Sequence, residues 1–204
     1  MRTFGLIPAA GKSRRMGRPK LLLPLRESTV LEQVLAAVRS AGVADIVVVV
    51  APDGDELARF AASAGAHILH LPEDTPDMRA TCLHGLAWIE DRFHPRGEDG
   101  WLLLPADHPT VKPEIVRAIL KAASEPTEQT IVVPSHQGRR GHPTWLHWSH
   151  VEAIRALPAE AGLNAFIRSH VEATRELPWP SDEILRDLDT PEDYQSLLKN
   201  EAAG

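Results

Sequence analysis

Apolar residues along this chain come in two alternating rhythms. Short continuous runs occupy Thr3 to Ala10, Ile46 to Ala51, Ala66 to Leu71, Trp101 to Leu104 and Thr130 to Val133. Runs of this length, rich in β-branched residues, suit strands buried on both faces. Between them lie helical stripes. Val30, Leu31, Val34, Leu35 and Val38 form one, opened by the capping box Thr29-x-x-Glu32 and stopped at Gly42. Leu57, Phe60 and Ala61 form a second, ending near Gly65; a third spans Met78 to Phe93; Ile115, Ile119 and Leu120 follow Pro113 in a fourth. Strand and helix thus alternate, which predicts an open, mostly parallel sheet with right-handed crossovers.

After Pro134 the rhythm changes. Ser135 to Pro143 reads as a polar loop, Thr144 to Trp148 as a short strand, and Val151–Leu157 and Leu163–His170 as two modest helices. Thr174 to Leu177 is a further strand candidate. Thr190 caps a last helix with Pro191 in its first turn. No repeat or linker divides the chain. The expectation is one Rossmann-like α/β domain over residues 1–204: the alternating rhythm fills 1–134, and 135–204 form an irregular, mixed second half.

Composition narrows the class. With 204 residues, 43% hydrophobic and 25% charged, an ordinary packed core is expected. The net charge of -6 argues against a general role on nucleic acid or on an anionic membrane. The single cysteine, Cys82, allows neither an intrachain disulfide nor a cysteine zinc site. No segment reads as a signal peptide or a membrane span, so the expected setting is cytoplasmic.

Against this acidic background one stretch stands out. Gly11 to Lys20 carries Lys12, Arg14, Arg15, Arg18 and Lys20 and no acid. Gly17 and Pro19 keep it from continuing as helix. A cation-rich loop with small residues, at the carboxyl end of the first strand of a parallel sheet, is where such folds hold phosphates. Gly11-Lys12-Ser13 imitates the end of a P-loop. The glycine that motif requires falls on Leu6 instead, and no helix follows at once. A kinase reading is therefore secondary, and a basic loop touching nucleic acid weaker still.

Two acidic sites could serve the same edge. Asp107 stands just past the fourth strand, between Pro105 and Pro109; it reads either as a turn cap or as a metal ligand, and the phosphate loop favours the metal. Asp187-Leu188-Asp189 places two carboxylates at a spacing of two, a second metal candidate. The scattered His108, His136, His142 and His147 do not match a helical ligand pair. No glycine-framed serine is present, and Cys82 lacks an evident partner, so covalent catalysis has no support.

The motif Pro8-Ala9-Ala10-Gly11-x-Ser13-x-Arg15-Met16-Gly17-x-x-Lys20-Leu21-Leu22 resembles the signature of the nucleotidyltransferases of molybdenum cofactor biosynthesis, the MobA-like NTP transferases, and most of all their cytidylyltransferase branch. Pro105-x-Asp107-x-Pro109, Arg140-Gly141-His142-Pro143 and Asp187-x-Asp189-Thr190-Pro191-Glu192-Asp193 fall in that family's order, so the resemblance covers nearly the whole chain.

The resemblance implies a nucleotide-sugar-transferase-like (GT-A type) fold and transfer of CMP from CTP to the phosphate of the molybdopterin cofactor, with Mg2+ and release of pyrophosphate. It implies that Pro8, Ala9, Ala10, Gly11, Lys12, Ser13 and Thr81 hold the nucleotide. Arg15 and Lys20 would grip the triphosphate, Asp107 and Asp189 would bind Mg2+, and Gly141, His142 and Pro143 would face the acceptor. Transient contact with a molybdoenzyme or its chaperone is a further implication. A same-fold enzyme using GTP or another NTP with a sugar or alcohol phosphate is the alternative; a non-catalytic nucleotide- or cofactor-binding protein is a third. One segment departs from the cytidylyl pattern of Gly-Met-x-Ser-Ser: here it is Asp77-Met78-Arg79-Ala80-Thr81-Cys82. Thr81 still offers a hydroxyl. Arg79 is expected to face the ligand, with pairing to Asp77 or Glu73 as the other reading.

Overall fold

The structure, a computed structural model, describes residues 1–13 and 16–202. In chain order the strands are β1 (Thr3–Ala9), β2 (Pro24–Leu25), β3 (Ser28–Thr29), β4 (Ile46–Val50), β5 (His67–His70), β6 (Gly100–Leu103), β7 (Ile131–His136), β8 (Arg139–Arg140), β9 (Thr144–His147) and β10 (Thr174–Pro178). The α-helices are α1 (Val30–Ser40), α2 (Asp55–Ser63), α3 (Met78–Phe93), α4 (Pro113–Ser124), α5 (Val151–Arg155), α6 (Leu163–Ser169) and α7 (Pro191–Ala202).

The main sheet runs β10-β7-β9-β6-β1-β4-β5, with β8 paired to β7. β1 sits between β4 and β6, parallel to both. β9 is antiparallel to both neighbours, β6 and β7. It therefore restores β7 and β10 to the direction of β1. The sheet is mostly parallel, as the alternating rhythm predicts.

Alternation along each strand splits the core into two layers. Ile7, Val48, Val50, Leu102 and Trp145 face α1, α2, α4 and α7. Phe4, Leu6, Val47, Val49 and Trp101 face α3, α5 and α6. This sandwich leaves the carboxyl ends of β1, β4 and β6 as the edge where loops can build a site.

Helix starts follow their local chemistry. Thr29 Oγ1 accepts from Glu32 N at 3.3 Å and Thr29 N donates to Glu32 Oε2 at 2.8 Å, closing the capping box before α1. Asp77 Oδ1 accepts from Ala80 N at 2.8 Å at the start of α3. One segment departs from its polar pattern. Ser135 to Pro143 is not all loop: Ser135–Arg140 and His136–Arg139 pair as the β7–β8 hairpin. Gln137 and Gly138 turn it with φ of +49° and +76°. Glutamine is not a usual residue for a positive φ, so the turn had no Asn-Gly marker. Among the described residues, no helix is long and apolar enough to cross a membrane.

Candidate active site

The site grows from the end of β1. After Ala9 the chain leaves the sheet, and Ser13 adopts a left-handed φ of +48°. Such a conformation is uncommon for a serine and clusters at ligand sites. Met16 N donates to Ser13 O at 3.0 Å, and the Met16 side chain returns to the core. Ser13 Oγ then accepts from Lys20 N at 3.2 Å, clasping the end of the loop to its beginning. Lys20 to Leu22 forms a single 3-10 turn. Leu21 and Leu23 are buried on either side and root Lys20 in the core.

Lys20 is only 9% exposed. Its Nζ donates to Asp107 Oδ2 at 2.7 Å and to Asp189 Oδ1 at 2.8 Å. Burial alone would lower its pKa, but the two carboxylates outweigh that and hold it above the ordinary lysine value. Lys20 is therefore a full positive charge at neutral pH.

The backbones that carry both carboxylates are held in place. Leu104 N donates to Leu6 O at 3.2 Å and Ala106 N to Pro8 O at 3.3 Å, carrying β6 alongside β1 almost to Asp107. Leu188 N donates to Asp107 O at 2.8 Å, which ties the two acidic loops together. Asp193 Oδ2 accepts from Asp189 N at 3.1 Å, Thr190 N at 2.7 Å and Thr190 Oγ1 at 2.8 Å. Burial would raise the Asp193 carboxyl pKa; the bonds from Thr190 and Asp189 outweigh it and lower the value. Leu188 between them is fully buried; Asp189 is the member of the pair that reaches Lys20, and Asp187 is exposed.

These groups open on a cavity of about 580 Å³. Pro8, Ala9, Ala10, Gly11, Lys12, Ser13, Lys20, Thr81, Asp107 and Asp189 all line it. Ten positions singled out in the sequence therefore meet in one place. Arg15 lies outside the described residues. Asp74, Thr75 and Pro76 also line the cavity; they carry no motif and were missed as site-forming, their only marker being their position after a strand of the parallel sheet, whereas Asp77 and Met78 beside them open the segment compared above with the cytidylyl pattern. There Asp74 pairs with the Lys12 ammonium across the cavity, and the Thr75 and Thr81 hydroxyls hydrogen-bond at 2.6 Å.

Gly141, His142 and Pro143 do not line the cavity. Gly141 is packed so closely on Ile184 that a Cβ would come within 2.3 Å of its carbonyl oxygen. The His142 ring stands edge-on to His108, centroids 4.7 Å apart. Burial pushes its pKa down to about 3, keeping it neutral. His108 is held below its usual value by the same desolvation. This pair buttresses the loop of Asp107 from behind.

Arg79 requires a correction. It is neither at the cavity nor paired with Asp77 or Glu73. It is 8% exposed, and its guanidinium donates to the carbonyls of Pro158 at 2.7 Å and Leu157 at 2.8 Å, with longer bonds to Ala161, Ile154 and Arg155. Arginine's planar fork of five donors suits a cluster of carbonyls at the end of α5.

Among the described residues, no three or more acidic, histidine or cysteine side chains gather as a metal cage. Two convergent carboxylates beside a phosphate loop suit a hard divalent cation that takes its remaining ligands from phosphate and water. Fold and site together define a nucleotide-handling α/β protein of the nucleotidyltransferase class. Residues 5–174 match the model of the MobA-like NTP transferase domain, and the chain belongs to that family.

Three relatives illustrate its range. The chain is 26% identical to the purine catabolism protein PucB of Bacillus subtilis, covering 96% of each. It is 24% identical to the molybdenum cofactor cytidylyltransferase of Escherichia coli, covering 93% of this chain and 92% of that one. Rv0371c of Mycobacterium tuberculosis, solved in complex with manganese, is 27% identical with a TM-score of 0.77, covering 98% of each.

Proposed function

We propose that the protein transfers CMP from CTP to the phosphate of the molybdopterin cofactor, with Mg2+ and release of pyrophosphate. The observation that carries this reading is the convergence of Lys20, Asp107 and Asp189 beside the phosphate loop. The likeness to the Escherichia coli cytidylyltransferase supports the choice of base and acceptor.

The chemistry asks little of the chain beyond position and charge. An oxygen of the acceptor phosphate, ionised at neutral pH, attacks the α-phosphorus. The bond from that phosphorus to the bridging oxygen breaks, and pyrophosphate leaves with its electrons. No protein nucleophile or base is needed. The backbone of Gly11 to Ser13 and the Lys20 ammonium hold the triphosphate and take up charge on the leaving group. Asp107 and Asp189 hold Mg2+, which supplies further charge neutralisation at the reacting phosphates. Arg15 assists Lys20, and Gly141 to Pro143 support the acceptor side.

A second reading keeps the reaction and changes the substrates: GTP or another NTP, with a different phosphorylated acceptor. It draws on the comparable likeness to PucB and on the departure at Asp77 to Cys82. A thermal-shift panel of CTP, GTP, ATP and UTP with Mg2+ separates the two. A ligand at a hundred times its Kd stabilises by about 2.7 kcal/mol. The largest shift is expected with CTP; a larger shift with GTP or ATP moves the protein to the second reading.

A further inference from the structure

The two carboxylates assigned above to the metal already hold a cation. Lys20 Nζ sits 2.7 Å from Asp107 Oδ2 and 2.8 Å from Asp189 Oδ1. A magnesium ion requires carboxylate oxygens at about 2.0–2.1 Å. The ammonium takes one oxygen of each carboxylate; a divalent ion on either carboxylate would stand close beside that ammonium, and the repulsion between the two cations favours the loss of one.

The structure shows which can move. The root of Lys20 is fixed: its N–H is held by Ser13 Oγ, and Leu21 and Leu23 anchor the turn. Its head is an ammonium on a flexible four-carbon stem, free to swing about that root. It lines the same cavity as Gly11, Lys12 and Ser13, so a triphosphate lying along that loop comes within its arc. The backbones that carry the carboxylates, by contrast, are tied down: Asp107 O accepts from Leu188 N, and Asp189 N donates to Asp193 Oδ2.

We infer that Lys20 is a displaceable counter-ion of the Asp107–Asp189 pair: the ammonium and the divalent metal compete for the same two carboxylates, and the triphosphate draws the ammonium away. Lys20 then acts twice. It first neutralises charge on the two carboxylates. It then carries its charge to the phosphates as the metal takes its place. The metal is accordingly bound weakly alone and tightly with nucleotide, which couples the two ligands. This inference rests on the assignment of the two carboxylates to the metal.

The test is a titration of the full-length protein with Mn2+ in the absence of nucleotide, following the free-ion signal by electron paramagnetic resonance. A neighbouring cation lowers a carboxylate's affinity for a proton by roughly ten- to a thousand-fold. Lys20→Met is therefore expected to bind Mn2+ roughly ten-fold tighter or more, whereas Lys20→Arg, which keeps the charge, binds as the wild type does. Lys20→Gln gives the same comparison if the methionine variant does not fold. Equal or weaker Mn2+ binding by the uncharged variants overturns the displacement. Asp107→Asn separates the two levels. Loss of Mn2+ binding there, with no gain in Lys20→Met, overturns only the displacement. Wild-type Mn2+ affinity in Asp107→Asn removes the metal assignment itself.

Discussion

Arg79→Ala separates a structural arginine from a ligand-binding one. The guanidinium crosses from the first turn of α3 to the carbonyls that end α5 and lead to α6. Removing it orphans two short bonds, those to Pro158 O at 2.7 Å and Leu157 O at 2.8 Å. At roughly 1–3 kcal/mol for each buried acceptor left unpaired, the expected loss is about 4 kcal/mol. In a domain of this size each kcal/mol moves Tm by about 2–4 °C, so the midpoint should fall by about 12 °C. The Arg79→Lys variant, with one compact ammonium in place of the planar fork, restores part of that. Calorimetry gives the stability, and a nucleotide titration well below the new midpoint gives the affinity. CTP affinity should change less than about three-fold, because additive effects at separated sites are small. An unchanged Tm with a large loss of nucleotide affinity would refute the structural role and return Arg79 to the ligand.

Further outcomes follow from the same geometry. Asp193→Ala removes the acceptor shared by Asp189 N and Thr190. The Mg2+ concentration needed for half-maximal rate should rise by about 10–100-fold, the usual effect of losing a group that orients a ligand. Lys12→Ala cuts only an exposed pair with Asp74, so stability should stay within about 0.5 kcal/mol. Lys20→Ala should instead lower kcat by about 100-fold or more; the reverse order of severity would favour a P-loop mechanism. His142 is held neutral with a pKa near 3, against about 6.5 when unfolded. The unfolded chain thus binds more protons between those values, and stability falls as pH drops through that window. From pH 7 to pH 5 the loss from His142 is about 2 kcal/mol, read as a drop in denaturation midpoint that His142→Phe should flatten.

What the sequence revealed and what it hid have physical reasons. β1, the capping box of α1 and the bounds of α3 rest on local chemistry, and a local pattern is what a sequence displays. The cation-rich loop was equally legible, because five cations without an acid stand out in an acidic chain. Asp107 and Asp189 were joined only through the family resemblance, not by any local pattern. Their meeting at Lys20 depends on β9 entering antiparallel between β6 and β7, and on α7 folding back beside β1's layer. Strand order is a long-range property that periodicity does not carry. Asp187 and Asp189 were equivalent by spacing; the resemblance favoured Asp189, and the bond from Lys20 to Asp189, with Asp187 exposed, sets them apart in the structure. Arg79 misled because a charged residue beside a binding motif looks exposed, while the carbonyls that satisfy it lie some 75 or more residues away. Asp74 to Pro76 carried no signature, since a cavity wall needs only shape.

The most direct measurement is pyrophosphate released from CTP with molybdopterin cofactor and Mg2+, comparing wild type with Asp107→Asn. The account predicts acceptor-dependent pyrophosphate from the wild type and a loss of about 100-fold or more in the variant, with the fold intact. Equal release by the two proteins would contradict the Lys20–Asp107–Asp189 site as the seat of nucleotidyl transfer.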